Sequence, residues 1–149
     1  MSTNFESVIR KPEFHEAMID PIMRIDRERK GMPVKMAEAL RKQMGLSAGE
    51  FSRIFGIKPA TYKKKVADKE PLAGRYGDAV ADLGETLAIA HNLLSTDRAD
   101  FNIPRWFTEW ITIPQPSLGG RKPADIMDTP TGRALVKQVV GAMGSGAYL

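Results

Sequence analysis

Apolar side chains along the chain recur every three or four residues, which is the spacing of one face of an α-helix. This spacing predicts helices over residues 34–44 and 78–94, with apolar stripes at Val34, Ala37, Leu40, Met44, and at Ala79, Leu83, Leu87, Ala90, Leu94. Sustained alternation of apolar and polar positions, the signature of a half-buried strand, is nearly absent. The pattern therefore predicts an all-α protein.

Capping residues mark where several of these helices begin. Asp20-Pro21 and Thr129-Pro130 each pair a side chain that caps a helix with a proline at the first helical position. Ser47 and Glu50 have the spacing of a capping box. These signals predict helices starting at residues 21, 48, 59, 104, 123 and 130, whereas the proline- and glycine-rich segment 114–123 is expected to be a non-helical loop.

Residues 47–66 have the organisation of a helix-turn-helix. Two short predicted helices are joined at Gly56, which suits a left-handed turn, and small Ser52 lies where the second helix must cross closely. This arrangement directs five side chains inward, namely Phe51, Ile54, Phe55, Ile57 and Tyr62. The second helix then presents a basic outer face.

The charge distribution supports contact with a polyanion. Residues 35–75 contain ten basic and four acidic side chains, a balance of +6, although the whole chain carries only +4. Such a surplus attracts nucleic acid through its phosphates. The expected DNA-binding residues are Arg53, Lys58, Thr61, Lys63, Lys64 and, towards the side of the helix, Lys65. The alternative is a plain helical hairpin whose lysines are merely solvated.

The composition argues against several other classes of protein. The absence of cysteine excludes disulfides and thiolate chemistry, and two histidines far apart disfavour a metal site. No carboxylate, serine or glycine motif of an active site is present. We therefore expect a cytoplasmic protein that is not an enzyme, without a cofactor, metal, membrane segment or small-molecule substrate.

The C-terminal part carries a distinctive run of motifs. It comprises Trp106…Trp110, Leu118-Gly119-Gly120-Arg121-x-Pro123, Asp128-Thr129, Gly132-Arg133 and the terminal Gly146-Ala147-Tyr148. This run resembles the toxin-binding domain of Xre-like antitoxins, which belong to bacterial type II toxin–antitoxin pairs. Residues 46–94 resemble the Xre-type helix-turn-helix and connecting helix of the same proteins.

We expect three regions in the chain. The first is an N-terminal helical extension (1–33), for which the resemblance implies nothing. The resemblance makes the other two an Xre/Cro-like helix-turn-helix DNA-binding region (34–76) and a connecting helix with a small toxin-binding domain and tail (77–149). It also implies an antitoxin that neutralises an NAD-degrading RES-domain toxin, forms a homodimer, and represses its own operon by binding operator DNA. The alternative is a stand-alone transcriptional regulator without a toxin partner.

Two segments are the expected toxin contacts. One is the loop of Leu118, Gly119, Gly120 and Arg121, together with Arg133, because arginine pairs well with carboxylates. The other is the end of a flexible tail over residues 144–149, where Gly146, Ala147, Tyr148 and Leu149 could enter a partner's cleft. The aromatic residues 106, 107 and 110 are expected in the core. The stripe from Leu83 to Leu94 is interpreted either as a dimer surface or as the join between the two halves of the chain.

Overall fold

The computed structural model describes residues 5–11, 13–94 and 101–145, and this part of the chain is helical. Its nine α-helices are α1 (Phe5–Ile9), α2 (His15–Ile19), α3 (Pro21–Lys30), α4 (Val34–Met44), α5 (Ala48–Ile54), α6 (Pro59–Asp68), α7 (Gly74–Leu94), α8 (Ile103–Trp110) and α9 (Pro130–Ala142). Short 3₁₀ turns cover Pro116–Leu118, Pro123–Asp125 and Met143–Ser145. Within the same residues, extended pairing is confined to two isolated β-bridges. The all-α prediction is confirmed.

The predicted caps are present at the starts of the helices. The Asp20 side chain accepts a hydrogen bond from the Ile22 amide at 2.9 Å. Thr129 accepts one from the Gly132 amide at 3.0 Å, and both halves of the Ser47/Glu50 capping box form. Each cap satisfies a backbone N–H that the first helical turn leaves without a partner.

Three boundaries differ from the prediction. α7 begins at Gly74, so the expected division of the chain between residues 76 and 77 falls inside this helix. The loop 114–123, expected to be non-helical, contains a 3₁₀ turn, because the fixed φ of Pro116 suits the first position of a short helical turn. The helix expected to run from Pro123 to Met127 is likewise only a 3₁₀ turn that ends at Asp125.

The long helix α7 is the centre of the molecule. It packs against α1, α3, α8 and α9, and Leu83, Leu87 and Ala90 of its apolar stripe are at most 1% exposed. Burying this stripe inside one chain removes apolar area from water and stabilises the fold. The stripe is thus the join between parts of one chain and does not form a dimer surface. Of the three aromatic residues on α8, Phe107 and Trp110 are buried, and Trp106 packs partly buried against them.

The N-terminal extension is an integral part of this core. Phe14, 1% exposed, lies directly against the backbone of Gly84 in the middle of α7. Further along, the amide of Met32 donates to the Leu72 carbonyl and the amide of Leu72 to the Met32 carbonyl, both at 2.8 Å. These contacts fix α3 and the start of α4 on the body of the protein.

A network of ion pairs joins α3, α7 and α9. Glu85, which is 7% exposed, accepts hydrogen bonds from Arg24 of α3 and Lys137 of α9. One turn earlier on α7, Asp82 pairs with Arg133 of α9. A buried carboxylate is tolerated only when it is paired, so these three helices are held in one relative arrangement.

Among the described helices, none is long and apolar enough to cross a membrane.

Candidate functional site

The helix-turn-helix is built as its spacing predicts. Ser52 is fully buried and its hydroxyl donates to the Ala48 carbonyl at 2.7 Å. Gly56 adopts φ +70°, and a Cβ at this position would stand 2.7 Å from the carbonyl oxygen of Asp128. Only glycine therefore combines the left-handed turn with this close approach. The predicted inward side chains are in the core, with Ile54 partly exposed and the other four buried.

Tyr62 anchors the second helix of the motif through a polar contact. Its hydroxyl donates to Glu38 Oε2 of α4 at 2.6 Å, and Arg41 donates to both oxygens of the same carboxylate at 2.6 and 2.9 Å. Hydrogen bonds from Arg41 and Tyr62 outweigh partial burial and lower the pKa of Glu38. Burial and the neighbouring Glu38 carboxylate raise the pKa of Tyr62 far above its ordinary value. The tyrosine is thus a neutral donor at every physiological pH.

The predicted DNA-binding side chains lie on the outside of α5 and α6. Arg53, Lys58, Lys63 and Lys64 are exposed, and Thr61 is half-buried. Lys65 faces the side of the helix as expected, since its ammonium group pairs with Glu70 at 3.1 Å. Lys64 pairs with Asp68 at 3.2 Å across the exposed surface, a contact that water and salt weaken. The outer face of α6 therefore remains strongly basic.

The second predicted site is a tight loop pinned at its base. Gln115 and Arg121 form an isolated β-bridge in which the Gln115 amide donates to the Arg121 carbonyl at 3.0 Å. The Gly120 amide donates to the Gln115 carbonyl at 2.9 Å. Leu118 is 7% exposed and anchors the loop in the core. Gly119, Gly120 and the Arg121 side chain form the exposed tip. The amides of Gly119, Gly120 and Arg121 all donate to carbonyls within the loop. The tip therefore offers a partner the exposed guanidinium of Arg121.

Arg133 is placed differently from the expectation that it pairs with a partner. It is 4% exposed, its Nε donates to Asp82 Oδ2 at 2.9 Å, and its Nη1 donates to the Met127 carbonyl at 3.3 Å. The carboxylate on α7 attracts the guanidinium inward, where it holds the loop before α9. In this position Arg133 is a structural contact between α7 and the segment before α9 and does not face solvent.

The predicted tail lies only partly in the described structure. Gly144 and Ser145, expected to be flexible, form a 3₁₀ turn with Met143, and Gly144 packs against Leu93 at the end of α7. The four toxin-binding candidates Gly146, Ala147, Tyr148 and Leu149 lie outside the described residues. The last described residues thus lie beside the C-terminal end of α7.

The sequence did not predict two polar contacts, one that orients α6 of the helix-turn-helix and one that holds the segment before α9. Tyr62 and Glu38 are 24 positions apart, and Arg133 and Asp82 are 51 positions apart. No local spacing links such residues. The one signal was Tyr62 itself, a polar aromatic residue at a position that the helix-turn-helix pattern directs inward, where its hydroxyl must find a partner.

Comparison with known proteins assigns both halves of the chain. Residues 23–75 match a family model described as the antitoxin Xre-like helix-turn-helix domain. Residues 98–146 match one described as the antitoxin Xre/MbcA/ParS C-terminal toxin-binding domain. A relative from Sphingobium sp. (strain YBL2), named Prs ADP-ribosylating antitoxin, is 32% identical over 94 residues, which are 62% of this chain and 59% of the relative. The two matched domains, in this order and with the described fold, show that the chain belongs to the Xre-like antitoxins.

Proposed function

We propose that this antitoxin neutralises an NAD-degrading toxin of the RES-domain type and represses its own operon by binding operator DNA as a cytoplasmic homodimer. It acts by binding alone, without catalysis, cofactor or metal. The observation that supports both roles is the presence of a basic helix-turn-helix and a toxin-binding domain in one chain. The name of the relative from Sphingobium, an antitoxin associated with ADP-ribosylation, is compatible with a toxin that uses NAD.

The DNA-binding role is tested by removing two charges from α6. Lys63→Ala with Lys64→Ala is expected to weaken operator binding strongly, because both ammonium groups are exposed on the outer face. The slope of log affinity against log salt should fall by about one unit per lost phosphate contact. Fluorescence anisotropy over a salt series measures both quantities.

The matched control removes the same charge elsewhere. Lys11→Ala with Lys122→Ala also deletes two exposed lysines, but from the segment after α1 and from the 114–123 loop. It should leave operator affinity within a factor of two. An equally small effect of the α6 substitutions would show that α6 is not the DNA-reading helix.

The toxin-binding role is tested by removing residues 146–149. These four residues would block the toxin, helped by Arg121 at the exposed loop tip. A chain ending at Ser145 keeps every described element, so it should fold, dimerise and bind operator DNA normally. It should nevertheless fail to restore NAD levels and growth when the toxin is co-expressed.

The same truncation separates two routes of inhibition. A shortened chain that neutralises as well as the full one would assign inhibition to the body of the domain, with no role for the tail. Arg121→Ala in the full chain then reports on the loop alone. A loss of neutralisation in this variant, with unchanged thermal stability, would place the contact at the loop tip.

A stand-alone regulator remains the second candidate, since the basic surplus of residues 35–75 would serve it equally well. Co-expression with the product of the adjacent reading frame distinguishes the two. A complex of fixed stoichiometry supports the antitoxin role, and its absence supports the regulator.

A further inference from the structure

An exposed apolar ridge runs along the N-terminal helices. Ile19, Ile22 and Ile25 are 73%, 65% and 40% exposed, and the last two, three residues apart on α3, lie on one helix face. Asp20 and Asp26, both exposed, flank them. Arg24 leaves this face because it bonds inward to Glu85. We call residues 19–26 the isoleucine ridge. The charged side chains that it exposes to solvent beside the isoleucines are acidic, and the next exposed arginine on this side, Arg29, lies one helical turn beyond it.

A concave, basic groove lies beside the C-terminal end of α3. Its volume is about 980 Å³, it is open to solvent, and it is lined by residues 30–35, the outer face of α4 and the end of α6. Apolar parts of Pro33, Val34, Ala39 and Val66 form much of its lining. Four exposed lysines stand around it: Lys30, Lys35, Lys42 and Lys69. We call this the lysine groove.

Among the described residues, the lysines of the lysine groove have no carboxylate partner in their own chain. In the described part of the chain, none of its four ammonium groups forms an ion pair, whereas other lysines such as Lys64, Lys65 and Lys137 do. The one carboxylate in the groove, Glu38, is already bonded to Arg41 and Tyr62. The groove therefore complements a segment that is both apolar and acidic.

We propose that the lysine groove of one copy of this chain receives the isoleucine ridge of a second copy, and the reverse. The ridge offers isoleucines for the apolar lining and aspartates for the lysines. Ile22 and Lys30 lie about 12 Å apart along α3, at 1.5 Å per residue. Ridge and groove thus sit side by side, so a two-fold axis near α3 brings both pairs together at once, as an isologous dimer requires.

This interface rests on the homodimer of the proposed function and names its surfaces. DNA is a poor occupant of the groove, because phosphates gain nothing from an apolar lining. An acidic segment of the toxin is the competing occupant, and a toxin-binding measurement on the groove variant distinguishes it from a second copy.

Light scattering during gel filtration of the full chain at micromolar concentration tests the proposal. The wild type should elute at twice the chain mass of 16.5 kDa. Ile22→Lys with Ile25→Lys in the ridge should raise the dimer Kd by about a hundredfold or more, because buried apolar anchors dominate such interfaces. Lys35→Glu with Lys42→Glu in the groove should do the same. The four substituted side chains are exposed in a single copy of the chain, Ile25 the least at 40%. The substitutions should therefore leave the fold intact, and circular dichroism checks this.

Two control variants match these changes at other surfaces. Ile113→Lys with Leu135→Lys places lysine at exposed apolar positions outside the ridge. Lys63→Glu with Lys64→Glu makes the same charge change on α6 as the groove variant makes on α4. Both controls should remain dimeric.

Mixing the two monomeric variants gives the sharpest result. Their heterodimer holds one native ridge in one native groove, and it sets the new lysines of one copy against the new glutamates of the other. Dimer should therefore reappear on mixing. A monomeric wild type would overturn the interface and the homodimer together.

A dimer that survives the ridge or the groove substitutions, or the absence of dimer on mixing, would overturn the interface alone. A groove variant that stays dimeric but loses toxin binding would assign the groove to the toxin instead.

Discussion

Tyr62→Phe should destabilise the protein by removing one hydroxyl from a closed polar contact. Tyr62 is fully buried, and its hydroxyl donates to Glu38 at 2.6 Å. Phenylalanine keeps the ring and its packing against Phe51, whose centroid is 5.5 Å away. The substitution thus isolates the hydrogen bond that ties α6 to α4.

The size of the effect follows from the partners that remain. A hydrogen bond to a charged group contributes about 1.5–3 kcal/mol. Glu38 keeps two hydrogen bonds from Arg41 and has a side chain 19% exposed, so water compensates part of the loss. We expect about 1.5–2 kcal/mol, at the low end of that range. For a chain of this size the midpoint of thermal unfolding falls by about 3–8 °C.

The pH dependence gives the prediction a second signature. Because the pKa of Glu38 is lowered on folding, chiefly by Arg41, its contribution is complete above its ordinary pKa of 4.5 and disappears as the pH falls through the lower folded value. Burial raises the pKa of Tyr62, so its contribution is complete below the ordinary 10.0 and declines as the pH rises beyond it. The difference between wild type and variant should therefore be greatest near neutral pH and shrink at both extremes.

Urea unfolding of both proteins at acidic, neutral and alkaline pH measures the difference. Tyr76→Phe is the control, since it also removes a tyrosine hydroxyl, but one whose partners are the exposed residues Arg75, at 3.4 Å, and Lys58. Its unfolding midpoint should change little. Glu38→Gln completes a double-mutant cycle. An unfolding free energy for Tyr62→Phe within about 0.5 kcal/mol of wild type at pH 7, well below the expected range for a bond to a charged group, would refute the reasoning.

Two further predictions concern the backbone. Gly132→Ala should lower the free energy of unfolding by at least about 3 kcal/mol, because the new Cβ would overlap the Ile126 carbonyl, a clash beyond ordinary overpacking. Gly141→Ala, where a Cβ meets open space, is the control. An equal loss of unfolding free energy in both variants, measured in urea, would contradict this explanation. Lys69→Gly should stabilise the fold by about 0.5–1 kcal/mol, because Lys69 caps α6 at φ 54°, a conformation that glycine adopts without strain. Lys64→Gly, inside the same helix, should instead destabilise it, and a loss in both variants would show that Lys69 is not strained.

The sequence predicts best where neighbouring residues decide the structure. Helices begin at Pro21, at Ala48 and at Pro130 because the residue before each one caps the first turn through its own side chain. The turn at Gly56 was predictable for the same reason, since a left-handed conformation is a local demand. The exposed lysines of α6 followed from the inward direction of Phe51, Phe55 and Tyr62.

Contacts between distant segments were beyond the reach of such reasoning. Arg133 stands beside a glycine in a motif, and this position gives no sign that a carboxylate 51 residues earlier draws it inward. Phe14 likewise lies against Gly84 without any shared pattern in the sequence. Whether an arginine faces a partner or its own core depends on the tertiary arrangement, so a predicted interface built on arginines alone has to be checked for burial.

The two functional regions of this antitoxin share one core, and this determines how they can be separated by experiment. The hydroxyl of Thr108 on α8 donates to the Met44 carbonyl at the end of α4 at 2.9 Å. The turn at Gly56 fits against the backbone of Asp128 in the toxin-binding domain. A cut between the domains would leave these surfaces exposed on both fragments and destabilise each one. Substitutions at exposed side chains, such as Lys63 or Arg121, remove one interaction and leave the shared core intact, so that a selective loss of DNA or toxin binding can be attributed to the surface itself.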